Sequence, residues 1–187
     1  DTRQTILAGS EPFSRDVWKQ FVEMGLLGMS VPEAFGGLGG GAVEHAVVGE
    51  AFGRAMVLEP YLSTAVLGGG AIGRADDDRV KSEHFPAVAA GERLLALAAT
   101  EAAARYDLHH VETRAESAGD DECRLSGRKI AVLDGPTADY FVVSARQAGN
   151  VRDHGGIGLF LVAADAPGLE RTDYPMMDGR HGSDLAM

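Results

Sequence analysis

The chain has 187 residues, of which 45% are hydrophobic, and 28 acidic residues against 17 basic give a formal net charge of −11. That length can bury a real core in one large domain or two small ones. The acidic balance argues against a nucleic-acid partner, whose phosphates call for a Lys/Arg patch. A single cysteine, Cys123, leaves no internal disulfide framework or multi-cysteine zinc site, and it fits a reducing, cytoplasmic setting. No run of about 18 apolar residues is present, so no membrane-spanning helix is expected. The opening DTRQTILAG lacks the basic-then-apolar pattern of a signal peptide and begins without methionine, which suggests a segment of a longer gene product.

Helical periodicity comes first. Phe13, Val17, Trp18, Phe21, Val22, Gly25 and Leu26 fall at three- and four-residue spacings on one helix face. Residues 42–56 are apolar around most of a helix and predict one that is nearly buried. A third helix is expected from Tyr61 to Ile72, where Gly68, Gly69 and Gly70 oppose helix formation unless close packing requires them. A fourth runs from about Asp78 toward Phe85, where Pro86 should disturb it, with Gly91 as the stop.

After Arg93 the period changes. In residues 111–117, Val111, Thr113 and Ala115 alternate with Glu112, Arg114 and Glu116, the pattern of a half-buried strand. The AGDDE stretch (118–122) reads as a hairpin loop into a strand over Cys123–Leu133. Residues 139–146 and 156–163 are apolar runs of strand length between turn residues. Helices followed by strands predict an α+β chain with a helical domain over 1–93 and a β-rich domain over 94–187. The last residues, YPMMDGRHGSDLAM, show no closing element, so that β domain is expected to be incomplete at its C-terminus.

The glycine-dense VPEAFGGLGGG (31–41) raises a chemical question. Gly37, Gly39 and Ala42 satisfy the G-x-G-x-x-G/A dinucleotide fingerprint, but Pro32 and the turn-like EAF occupy the place of the strand that mechanism needs. A bend between helices is the alternative reading. A phosphate-binding P-loop is excluded, since no Gly-Lys-Ser/Thr follows. Six scattered histidines form no H-x-x-x-H pair, so no metal site is expected. No G-x-S-x-G elbow accompanies a hydrolase reading. Glu101 and Asp107, six residues apart, read as a solvated pair rather than an acid/base couple.

The order of local phrases adds more. GLLGMSVPEAFGGLGG resembles the acyl-CoA dehydrogenase family, whose first domain carries G-L-L-G-x-x-x-P-E-x-x-G-G-x-G between helices. DRVKSEHFPAVAAGER (78–93) is similar to that family's next helix. LALAATEAAARYD (95–107) is similar to its strand and loop with Thr-Glu-Pro-Gly-x-Gly-Ser-Asp. LSGRKIAVLDGPTADYFVVSAR (125–146) resembles its Gly-x-Lys-x-x-(Ile/Val)-(Thr/Ser)-Asn-Gly strand pair. DGRHGSDLA resembles the stretch before the C-terminal helical domain. Within the family, TRQTILAGSEPFSRDVW and ARYDLHHV are most like pimeloyl-CoA dehydrogenase small subunits.

The resemblance implies a helical N-terminal domain and a β-sheet middle domain of sandwich or barrel type. The family's C-terminal helical bundle is absent here. It implies FAD as cofactor, an acyl-CoA substrate in fatty-acid β-oxidation, electron-transfer flavoprotein as electron acceptor, and an oligomer with the same or another dehydrogenase subunit. The family's base is a glutamate of the missing domain, so no catalytic residue is assigned to this chain. Carried over by position, Leu97, Ala98, Ala99 and Thr100 fall on the strand beside the flavin, with Thr100 the foremost candidate. Ala131, Val132 and Leu133 fall on the segment flanking the ring. Tyr106 takes the place of a serine beside pyrophosphate and substrate. Ala131 replaces a tryptophan and Leu133 a threonine, which removes stacking area and a polar atom. Two readings follow: a FAD-dependent dehydrogenase subunit, or a non-catalytic structural subunit whose partner holds FAD.

Overall fold

The computed structural model describes residues 2–8, 11–119 and 122–187; Asp120 and Asp121 of the anticipated hairpin loop lie outside them. Helices occupy the first half: α1 (Thr2–Ala8), α2 (Arg15–Glu23), α3 (Ala42–Ala55), a π-helical segment (Leu62–Gly68) continuing into α4 (Gly69–Gly73), and α5 (Asp78–Ala89). Eight strands follow: β1 (Leu95–Ala98), β2 (Arg114–Ser117), β3 (Cys123–Ser126), β4 (Arg128–Leu133), β5 (Tyr140–Arg146), β6 (Ile157–Ala163), β7 (Glu170–Pro175) and β8 (His181–Ala186).

The helical core forms where the sequence placed it. Ser14 caps α2 by accepting from Val17 N, and the periodic face buries Trp18 and Phe21. These pack with Phe13, Leu27, Tyr61 and Leu94, each contributing roughly 1.5–3 kcal/mol of apolar burial. Helix α3 departs from expectation, because none of its residues is buried. Val48 and Phe52 touch the core, while Val43 and Val47 on the outward side stand exposed. Its all-round apolarity therefore marks a second, uncovered face rather than full burial. Helix α5 also runs past Pro86, which lies inside it, to Ala89.

The glycine segment is a bend. Around a single 3₁₀ turn (Glu33–Phe35), the amides of Leu38, Gly39 and Gly40 donate to the carbonyls of Gly28, Val31 and Met29 at 2.7–2.9 Å. Those donors are consumed by backbone and cannot cradle a phosphate. A Cβ at Gly37 would lie 2.0 Å from Val31 O, which explains a residue without a side chain there.

Among the described residues the strands form two sheets and no closed barrel. One is mixed: β5 lies between β1 (parallel) and β6 (antiparallel), and β2 and β3 extend it through the single pair Arg114↔Arg146. The other is antiparallel in the order β4-β8-β7. Three strand expectations are corrected. The strand anticipated from Val111 begins only at Arg114, because Val111 N donates to Val151 O and Thr113 N to Glu101. Residues 123–133 are two strands in different sheets, divided at Gly127. The C-terminal stretch supplies β8, the central strand of its sheet, so the end of the chain is paired on both sides.

Candidate functional site

β1 pairs on one side only, with β5 from Leu95↔Tyr140 to Ala98↔Val143. Backbone groups alternate in direction along a strand. Leu94 O accepts from the amides of Asp139 and Tyr140, so Leu94 faces β5. Leu95 and Leu97 therefore present their N–H and C=O to the opposite edge. At Leu95 that edge is taken by Thr64 Oγ1, 3.2 Å from Leu95 N and 3.4 Å from Leu95 O. Leu97 keeps an outward donor and acceptor. Just beyond, Thr100 O accepts from Ile130 N at 2.9 Å, and the half-buried Thr100 hydroxyl has no partner among the described residues.

That contact joins β1 to an irregular stretch of β4. Lys129 pairs with Leu185 and Val132 with Ser183, so Ile130 and Ala131 together oppose Asp184. This is a bulge, a device that re-aims side chains beside sites. Ala131 has φ +53° and is exposed. Its amide donates to Asp184 Oδ1 at 3.1 Å, and Tyr174 Oη donates to the same oxygen at 2.8 Å.

The structure thus brings Leu97, Thr100 and Ala131 to one end of the β1–β4 junction, with Ala99 and Leu133 half-buried beside them in sequence. Ala98 and Val132 are different. Both side chains are sealed in the sheet-domain core with Phe141 and Val143, and by the same alternation Ala98 turns its backbone groups to β5. Tyr106 is fully exposed, with its hydroxyl unpartnered among the described residues.

The expectation of a solvated Glu101–Asp107 pair is overturned for Glu101. Its carboxylate is buried and accepts from Lys129 Nζ (2.7 Å), Thr113 Oγ1 (2.6 Å), and the amides of Glu112 (2.6 Å) and Thr113 (3.0 Å). Burial alone would raise its pKa, but these donors outweigh it and hold the carboxyl below its ordinary range. Burial pushes the Lys129 ammonium down, opposed by Glu101. Lys129 Nζ also donates to Ser144 Oγ at 3.0 Å. The pair anchors the two segments that carry Thr100 and Ala131, and sequence reasoning missed it. The available signal was adjacency: Glu101 follows Thr100, and Lys129 opens the bulge.

A groove of about 710 Å³ lies on the helical side, lined by His45, Phe52, Tyr61, Leu62, Val66 and Arg180 among others. His45 Nδ1 and Tyr61 Oη are 2.7 Å apart. Burial pushes the Tyr61 hydroxyl up to about 12 and the His45 imidazole down. Among the described residues, no cluster of His, Cys, Asp and Glu could hold a metal, and no helix is long and apolar enough to cross a membrane.

Residues 5–92 match the model of the acyl-CoA dehydrogenase N-terminal domain, and residues 96–187 match the model of the acyl-CoA dehydrogenase middle domain. The chain belongs to the acyl-CoA dehydrogenase family. It is 32% identical over 161 residues to acyl-CoA dehydrogenase FadE27 of Mycobacterium tuberculosis, a match spanning 86% of this chain and 40% of that protein. It is 31% identical over 172 residues to mitochondrial isovaleryl-CoA dehydrogenase of Pongo abelii, spanning 90% of this chain and 40% of the relative. Among solved structures, the ChsE4-ChsE5 complex from Mycobacterium tuberculosis superposes with a TM-score of 0.84 at 27% identity, covering 99% of this chain and 48% of that one. The Tcur3481-Tcur3483 steroid ACAD G363A variant gives 0.85 at 29% identity, covering 98% and 48%. The chain therefore spans less than half the length of these relatives. Pimeloyl-CoA specificity finds no support among them.

Proposed function

We propose that this chain is the N-terminal and middle part, divided near residue 93, of a flavin-dependent acyl-CoA dehydrogenase subunit that desaturates an acyl-CoA thioester between its α and β carbons. Bound FAD would supply the hydride acceptor. The observation that carries the reading is the unpaired β1 edge: Leu97 offers an outward N–H and C=O, and Thr100 offers a hydroxyl able both to donate and to accept. Planar, polar-edged ligands are held by such groups. Ala131, presented on the bulge, and Leu133 would form a small apolar floor, while the backbone of Ala99 and Val132 completes the wall and Ala98 holds β1 to β5. Tyr106, free in solvent, is placed to meet the more distant parts of cofactor or substrate.

The family resemblance implies a proton acceptor in a domain outside this chain, and at the junction Glu101 is committed to Lys129 and Thr113, and Asp184 to Ala131 N and Tyr174. The exposed apolar side of α3, with Val43, Val47 and Met56 beside the groove, fits coverage by further protein, either more of the same polypeptide or another dehydrogenase subunit. Electron-transfer flavoprotein would take the electrons onward. A reducing cytoplasmic setting suits the exposed thiol of Cys123.

A second reading is favoured by one observation. Ala131 provides no stacking surface and Leu133 no polar atom, which suits a structural subunit whose partner holds the flavin. It is also supported by the paired names of the ChsE4-ChsE5 and Tcur3481-Tcur3483 complexes. Titrating FAD into the flavin-stripped full-length protein, followed by flavin fluorescence, tests the first reading. Thr100→Val should weaken binding roughly tenfold, the worth of one hydrogen bond of about 1 kcal/mol or slightly more. Unchanged binding would remove Thr100 from the site.

A further inference from the structure

The β4 bulge leaves a backbone donor without a ladder partner, and the neighbouring strand answers it with a side chain. Because Ile130 and Ala131 together oppose Asp184, their amides cannot both pair with the β8 backbone. The Ile130 amide turns to Thr100 O at 2.9 Å. The Ala131 amide turns instead to Asp184 Oδ1 at 3.1 Å. Ala131 also sits at φ +53°, a conformation that residues carrying a Cβ avoid. Something must hold it there.

The carboxylate that does so is itself braced. Tyr174 Oη donates to the same Oδ1 at 2.8 Å. Tyr174 pairs with Gly182, two residues before Asp184 on β8. A Cβ at Gly182 would lie 3.0 Å from Tyr174 Cε2, so the missing side chain lets the ring lie across β8 toward Asp184. Burial, then the bond to Asp184 and the charge of that residue, raise the Tyr174 hydroxyl above its ordinary pKa, which keeps it a donor. Asp184 stands between the buried Ser183 and Leu185 and, by strand alternation, faces away from the core they enter. The tie therefore shapes the bulge and not the core.

We propose that Asp184, braced by Tyr174, is a positioning residue for the flavin edge. It keeps Ala131 in its left-handed conformation beside the end of β1, and so keeps the Ile130 amide on Thr100 O. The inference rests on the reading of the β1–β4 junction as the flavin site. Asp184 acts through the Ala131 amide rather than on the cofactor. What the role demands is an oxygen acceptor at that point, not a negative charge.

The test titrates FAD into the flavin-stripped full-length protein as wild type, Asp184→Ala, Asp184→Asn and Tyr174→Phe. Asp184→Ala should weaken binding about tenfold, the order expected for one lost charge-assisted hydrogen bond. It should also change the visible band shape of the FAD that still binds. Asp184→Asn keeps an oxygen for the Ala131 amide and should return affinity to within about threefold of wild type. Tyr174→Phe removes only the brace and should fall between wild type and Asp184→Ala, a readout that survives a failure of Asp184→Ala to fold. Equal affinity in wild type, Asp184→Ala and Tyr174→Phe would overturn the role. Asp184→Asn binding as weakly as Asp184→Ala would overturn it too, by making charge the operative property.

Failure of the flavin reading looks different: the wild type itself would bind no FAD, and the role would fall with it. Amide exchange of the flavin-free protein isolates the tie. Exchange at Ile130 and Ala131 should be faster in Asp184→Ala than in wild type or Asp184→Asn, and unchanged rates would show that Asp184 does not hold the bulge.

Discussion

Lys129 and Glu101 form an ion pair of 2.7 Å with both side chains shielded from solvent, and this pair fixes β4 to the loop after β1. Truncating one member of a buried pair leaves an uncompensated charge, at about 3–5 kcal/mol. The two halves are unequal. Without Lys129, Glu101 keeps three donors; without Glu101, Lys129 keeps only Ser144. Glu101→Ala should therefore destabilise more than Lys129→Met in urea unfolding, and equal losses would contradict this partition.

The same carboxylate sets an acid limb. Glu101 is held below its ordinary value of 4.5, so its contribution is fully present above that pH and is lost as pH falls through the lower, folded-state value. Wild-type stability should drop below pH 4.5 more steeply than that of Glu101→Gln, read from thermal melts across the acid range. Parallel acid limbs would show that the donors around Glu101 do not favour its charged form.

Gly68 tests the seam between the domains. A Cβ there would sit 2.4 Å from Leu95 Cβ. Gly68→Ala should cost about 1–3 kcal/mol through overpacking, despite the better helix propensity of alanine. Leu95→Ala alone should cost about 2–5 kcal/mol, and the double variant should lose clearly less than the sum. Strict additivity in a denaturant double-mutant cycle would mean the two residues do not meet.

Much of this seam was unreadable in the sequence. The α2 face announced itself by spacing, because one apolar stripe is periodicity alone. Gly68, Gly69 and Gly70 announced only a conflict with helix, and the identity of Leu95 as the residue pressing on Gly68 is a long-range fact. Helix α3 misled because apolar residues all round a helix look the same whether the second face meets this chain or something else. Residues 123–133 were read as one strand, since nothing local shows that the chain changes sheets at Gly127. Likewise β7 and β8 alternate too weakly to be seen, with Glu170, Arg171 and Asp173 exposed. At the candidate site, Thr100 is proposed from family resemblance, whereas the free edge at Leu97 exists only once β1 is known to pair on one side.

The glycine bend separates two kinds of constraint. Gly36 has φ +85° with open space around it, so Gly36→Ala should cost only about 1–2 kcal/mol of backbone strain. At Gly37 the added Cβ meets Val31 O at 2.0 Å, and Gly37→Ala should cost about 3 kcal/mol or more. Chemical denaturation ranks them, and the reverse order would refute the packing assignment. Neither variant should alter affinity for free nucleotide phosphates, since the loop amides are already bonded.

Arg146 is buried without a carboxylate and donates to four carbonyls, those of His109, Val151, Asp153 and Gly155. Arg146→Met should strand three of those acceptors, Val151 O keeping the Val111 amide, each worth about 1–3 kcal/mol where water cannot reach. Amide exchange should then accelerate at Val111 and across 151–156 before the rest of the mixed sheet. Uniform acceleration would mean that Arg146 supports the whole sheet rather than these loops.

The central claim is that the β1–β4 junction holds a flavin. The most direct measurement is the visible absorption spectrum of the full-length protein, purified alone and again with an adjacently encoded dehydrogenase subunit. A flavin held at this junction should give an oxidised-flavin spectrum that persists through gel filtration of the protein alone and weakens in Thr100→Val. A colourless protein, with flavin carried by the separately purified partner, would contradict it and make this chain the structural half of the pair.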